Sequence, residues 1–163
     1  MSRLLPELES VLRSLADEHR RLLAHVEAQQ AAMQSFDLKA MDDARNQQEA
    51  SRLRVAALET KRRTVVAHIA KGLKLDGKLT LSKLADLHPP RRDALLALRD
   101  EIKGLAQAVA ARSHVAGRLS SAVLGHLNTV VRLLAGAVEK AGLYTKHGVP
   151  SVSSRIGMME AVG

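Results

Sequence analysis

From Pro89 to about Ala141, apolar residues return every three or four positions almost without a break. Leu95, Leu98, Ile102, Leu105, Val109, Ala116, Leu119, Val123, Leu127, Val130, Leu134 and Val138 all fall on one side of a helix, a stripe sustained over roughly six heptads. At 1.5 Å per residue this predicts a helix roughly 75 Å long, longer than a compact domain of this size is wide. Such a stripe must be covered by other helices, by a partner, or by both. That requirement constrains what the rest of the chain can be.

The remaining composition suits helix packing. The chain has 163 residues, one domain's worth, and 46% of them are apolar. Leu, Ala and Val dominate, with one Phe, one Tyr and no Trp, which favours narrow helix-on-helix seams over a core built on aromatic anchors. The absence of cysteine excludes a disulfide framework, thiolate metal sites and thiol catalysis. The N-terminus lacks a basic head followed by an apolar run, so no secretory signal is expected. The most apolar window, Val123 to Val138, contains His126, Asn128 and Arg132 and is too short to cross a bilayer. The expectation is a soluble, cytoplasmic protein with no membrane insertion.

The chain order predicts three helices. Leu4, Leu8, Val11, Leu12, Leu15, Leu22, Val26 and Met33 mark an amphipathic helix over 4–34, with Pro6 tolerated in its first turn. Asp37 is placed to cap a second helix over 38–71, and Phe36 and Met41 stand at the positions of a hydrophobic staple that would fix the turn. Gly72 is expected to end that helix, with Lys71 in its last turn. Two helices of similar length joined by a short turn form an antiparallel pair.

A connection follows, with a turn at Asp76-Gly77 and a short helix over 80–87 capped by Thr80, which should tuck Leu81, Leu84 and Leu87 over the hairpin end. Pro89 and Pro90 suit the start of the long helix over 90–141. Gly104, Gly117, Gly125 and Gly136 interrupt it, each costing about 1 kcal/mol relative to Ala. Either they permit close helix approach, or they leave the helix locally weak and suited to adaptable binding. Residues 143–163 read as a flexible tail after a helical domain over 1–142. The expected fold is all-α, an elongated antiparallel three-helix, coiled-coil-like bundle with a short linker helix and a flexible C-terminal tail.

The chemistry inventory points away from catalysis. A net charge of +8 raises nucleic acid or an anionic surface as partners. Arg52, Arg54, Lys61, Arg62 and Arg63 form the densest basic group, and Arg91 and Arg92 a second. No aromatic residues interleave to stack bases, and no helix-turn-helix, zinc or RNP pattern is present, so these clusters read as solvated helix faces. The seven histidines include no pair three or four positions apart, so no metal site is expected, and His114 and His126 read as partly buried or rim residues of the stripe. There is no phosphate loop, dinucleotide fingerprint or nucleophile elbow, so neither catalytic residues nor a cofactor are expected.

Two stretches are more specific. Leu79-Thr80-Leu81-Ser82-Lys83-Leu84 resembles the Leu-Thr-Leu-Ser-x-Leu segment between the second and third helices of the FlgN family of flagellar export chaperones. Leu143-Tyr144-Thr145-Lys146-His147-Gly148, followed by Ser151-Val152-Ser153-Ser154-Arg155 and Gly157, resembles that family's Leu-Tyr-x-x-x-Gly…Ser-Val-Ser-x-Arg-x-Gly terminus. The helix order also matches, over nearly the whole chain. Ala116-Gly117-Arg118-Leu119 lacks the Asn that members often carry before a Leu pair, and many members are acidic where this chain is basic.

The resemblance implies a cytoplasmic chaperone that binds the C-terminal amphipathic segment of the hook-associated proteins FlgK and FlgL, prevents premature assembly and delivers them to the type III export gate. By family analogy Tyr144 would contact the cytoplasmic domain of the gate protein FlhA. An apolar face of Leu119, Val123, Leu127, Val130, Val131, Leu134 and Val138 suits the client helix, at i, i+3, i+4, i+7 spacing. The same residues also fit ordinary bundle core or a seam for weak self-association. A basic helical nucleic-acid binder and a structural coiled-coil oligomer are the competing readings.

Overall fold

The computed structural model describes residues 3–75 and 79–141, with side chains described as far as residue 137. Every regular element among them is helical: α1 (Leu4–Gln34), α2 (Leu38–Gly72), the short α3 (Leu81–Asp86), a 3-10 turn (Pro89–Arg91) and α4 (Arg92–Ala141). The fold is therefore all-α, with long helices packed against one another. The chain divides into two compact units, 1–119 and 120–163.

In the first unit α1 supplies the spine. Its residues Leu8, Leu12 and Leu15 are fully buried, and Leu5 and Val11 nearly so. They pack with Val65 and Ile69 of α2, Leu84 and Ala85 of α3 and Leu95 of α4 in one cluster. A fully buried Leu contributes about 1.5–3 kcal/mol, so this end of the bundle is its firmest part. Further along, Leu22 and Val26 of α1 pack with Val109 and Ala116 of α4 in a second, smaller cluster.

The helix ends are set by local hydrogen bonds. Asp37 caps α2 by accepting from the Ala40 amide at 2.9 Å, and Thr80 caps α3 by accepting from the Lys83 amide at 3.3 Å. The turn after α1 is not held by a staple. The Phe36 ring is 61% exposed, and its backbone adopts φ 53°, in the left-handed region. Asp37 donates its amide to the Ala32 carbonyl at 3.0 Å and Phe36 to that of Met33 at 3.3 Å, which closes a Schellman motif with Phe where Gly is usual.

The end of α2 repeats that geometry, with Leu75 donating to Ala70 and Lys74 to Lys71, both at 3.1 Å. Lys74, not Gly72, carries the left-handed φ of 53°. Gly72 is simply the last helical residue. Of the three leucines expected to tuck under α3, Leu84 is fully buried while Leu87 is 50% exposed. Leu87 follows the last turn of α3, so its side chain points away from the cluster that Leu84 enters. The prolines begin a 3-10 turn in front of α4.

A polar layer interrupts the α1–α2 seam. Glu18, Gln48 and Ser51 are buried there. Gln48 donates to the Gln29 side chain at 2.8 Å and to the His25 carbonyl at 3.3 Å. Arg54 donates to Glu18 at 2.8 Å and to the Ser51 hydroxyl at 3.1 Å. Burial pushes the Glu18 carboxyl up, but the Ser51 hydroxyl, Arg54 and then Arg21 outweigh it and hold the group below its ordinary value.

Candidate partner-binding face

Polar contacts fix how α1 and α4 align. Arg91 pairs with Glu9 at 2.7 Å, Arg20 pairs with Glu101, and Gln30 donates to the Arg112 carbonyl at 2.8 Å. Arg20–Glu101 and Gln30–Arg112 each join an α1 residue to an α4 residue 81 or 82 positions later, and Arg91, in the 3-10 turn just before α4, meets Glu9 82 positions earlier, so α1 and α4 run in the same direction. Carried forward by 82, Gln34 at the end of α1 comes level with position 116. Ala116 is also the last buried residue of α4 among those whose side chains are described.

The α4 helix runs on to Ala141. In the second unit, considered by itself, the described apolar side chains stay open. Val123 is half-buried. Leu127 is 45% exposed, Val130 39%, Val131 61% and Leu134 61%. Leu119, the last residue of the first unit, is half-buried. The Val138 side chain, Tyr144 and the tail over 143–163 lie outside what the structure describes, as does the Asp76-Gly77 turn.

Periodicity alone does not find the full extent of this face. Leu124 and Leu133 lie off the three-and-four stripe, yet they are 64% and 69% exposed. Half of the exposed large apolar residues among those described fall within 124–134, while the other six are spread between positions 36 and 115. Scattered exposed leucines need no explanation, whereas a concentration of this kind makes the stretch a candidate interaction surface. A signal for it was present in the sequence: Ser120 to Ala137 contains a single charged residue, Arg132.

Among the described residues, nothing packs closely on the four glycines of α4. A Cβ at Gly104, Gly117, Gly125 or Gly136 would meet nothing within 4 Å, so the close-approach reading finds no neighbour at any of the four. His114 and His126 are both exposed, and neither is buried against the stripe. Among the described residues, no three His, Asp or Glu side chains come together to hold a metal, and no helix is long and apolar enough to cross a membrane.

The densest basic group is largely neutralised in place. Arg54 pairs with Glu18 at 2.8 Å and Arg62 with Glu59 at 2.8 Å, while Arg52 and Lys61 approach Glu49 and Glu7 at 3.9 Å. Arg91 and Arg92 pair with Glu9 and Asp86. Each of these six cations thus has a carboxylate beside it, on its own helix or on a neighbouring element.

Comparison with known families adds one finding. A family model described as FlgN protein matches residues 1–151. The comparisons with curated proteins and with solved structures found no match.

Proposed function

This chain belongs to the FlgN family, and from that premise we propose that it carries hook-associated proteins to the flagellar export gate in the cytoplasm. The family supports a flagellar export chaperone role in general terms and is a chaperone family rather than an enzyme family. In the finer reading, the C-terminal amphipathic segment of FlgK or FlgL lies on α4 across Val123, Leu127, Val130, Val131 and Leu134, flanked by Leu119 and Val138. Seating that segment withholds it from assembly. Tyr144 then engages the cytoplasmic domain of FlhA, and the client is released to the gate.

The observation that carries this reading is the exposure of six large apolar side chains within one stretch, 124–134, of a FlgN-family helix. Leaving them in water forgoes roughly 25 cal/mol for each Å² of apolar surface, a loss that an amphipathic client helix recovers on docking. Leu, Val and Ala present a surface without strong directional demands, which suits temporary holding of related clients.

The test is co-elution of this chain with the C-terminal segment of FlgK at micromolar concentration. Failure to bind while the chain is folded by circular dichroism would overturn the reading. Tyr144→Ala should leave client binding intact and weaken binding to FlhA; equal loss of both would refute the division of labour.

A further inference from the structure

We propose that the distal face of α4 holds two helical elements of its client at once, one on each flank. This rests on the client-binding reading above and goes beyond it in saying what the occupant must be. The key pair is Leu124 and Leu133, nine positions apart. At 3.6 residues per turn they point in directions about 180° apart. Both are among the most exposed large apolar residues described, at 64% and 69%. Between them, moving around the helix from Leu133, come His126, Val130, Leu134, Leu127 and Val131, so the arc is apolar from Val130 to Leu124 and again at Leu133, with one imidazole between.

One neighbouring helix does not cover such an arc. A helix packs 8–10 Å from its neighbour and contacts it along a stripe on the order of 100° wide, narrower in a coiled-coil seam. The first unit shows the ordinary case. There Leu98, Ile102, Leu105, Val109 and Ala116 fall within about 60° of one another, and Leu22 and Val26 of α1 are enough to pack on Val109 and Ala116. The same heptad phase runs on through Val123 and Val130, seven and fourteen positions after Ala116. The centre of the distal arc therefore continues the phase of the established α1–α4 interface, and the flanks are additional.

Charge points the same way. From Ser120 to Ala137 only Arg132 is charged, and it lies on the far side of the helix, about 80° from Leu124 and 100° from Leu133. Neither flank carries a carboxylate, lysine or arginine, and the exposed His126 imidazole, about 20° from Leu133, is the one basic side chain on the arc. Each arriving element must bring an apolar stripe of its own, and binding should depend weakly on salt. A second copy of this chain laid symmetrically across the face would cover the centre and one flank.

The absence of cysteine permits a direct test in the full chain. Leu124→Cys, Leu127→Cys and Leu133→Cys report on the two flanks and the centre. Gly125→Cys, where a Cβ meets open space, reports on the opposite side. Maleimide labelling rates are compared for the chain alone and saturated with full-length FlgK, with co-elution checked for each variant. The expected result is slowing of about tenfold or more at 124, 127 and 133, and less than about twofold at 125.

Protection of 127 and one flank alone overturns the two-element occupant while leaving the client site standing. Protection at all four positions overturns it as well, because the helix would then be enclosed. No protection at 127 despite co-elution, or no co-elution at all, removes the client-site reading and this inference with it. Protection that grows with concentration of the free chain, and is not increased by FlgK, identifies a second copy instead.

Discussion

Truncating Leu12 and truncating Leu134 to alanine removes the same atoms from opposite surroundings, and the two variants should fail in different assays. Leu12 is fully buried in the main cluster, so Leu12→Ala should cost about 2–5 kcal/mol of folding stability. At about 2–4 °C per kcal/mol for a chain of this size, its Tm should fall by roughly 5–20 °C. Leu134 keeps 61% of its surface open. Only about two-fifths of the 1.5–3 kcal/mol available from full burial is realised in the fold, so Leu134→Ala should cost about 1 kcal/mol or less. The remaining three-fifths is realised when the client covers it, about 1–2 kcal/mol, or roughly 5- to 30-fold in Kd. Thermal melts followed by circular dichroism give the first quantity, and calorimetric titration with the C-terminal segment of FlgK gives the second. A Leu134→Ala variant that melts as early as Leu12→Ala and binds client with unchanged Kd would refute the reasoning, because that residue would then be core.

Two further outcomes test the first unit. Glu18 has a folded pKa held below its ordinary value, so it adds stability above the unfolded carboxylate pKa of about 4.3, and this is lost as pH falls through the folded value; Glu18→Gln should be less stable than the parent at pH 7 and no less stable well below pH 4, measured by urea titration across pH. Lys74 holds φ 53° at the end of α2, a conformation that costs a non-glycine residue about 1–2 kcal/mol; Lys74→Gly should raise stability by about 1 kcal/mol, seen as a Tm increase of roughly 2–4 °C, and a decrease would show that the lysine side chain contributes more than the backbone strain costs.

The parts of the fold that depend on local periodicity were legible from the residues. The all-α class follows from the long stripe, and the caps at Asp37 and Thr80 follow from side chains that accept from amides three positions on. The turns were less legible. Phe36 and Lys74 occupy left-handed positions that glycine would ordinarily take, because the six-to-one hydrogen bonds from Asp37 and Leu75 impose the geometry whatever side chain is present. The Glu18–Arg54 pair joins residues 36 positions apart. Finding it requires the register of two helices, which composition does not supply, and Arg54 was accordingly placed among solvated cations. Leu124 and Leu133 were missed for a different reason. A template that keeps one side of a helix discards apolar residues on its flanks, and those flanks are where this helix departs from an ordinary seam.

That departure distinguishes the distal stretch of α4 from the part packed on α1. Where α4 is matched by α1, the stripe is narrow and charged residues stand beside it, with Glu101 and Arg112 reaching Arg20 and Glu27. Over 120–137, a helix segment meant only for solvent would be expected to be more polar. Opposite charges four positions apart would support such a segment by about 0.2–0.5 kcal/mol per pair, and alanine would replace glycine. Instead the segment keeps one charge, retains Gly125 and Gly136, and widens its apolar arc to about half the helix circumference. The glycines weaken the isolated helix, while the scarcity of charge and the wide apolar arc favour contact with whatever covers it. On the client-binding proposal the segment gains stability from its occupant: saturating client should reduce amide exchange over 120–137 far more than over α1, and equal protection of both would place the coupling elsewhere.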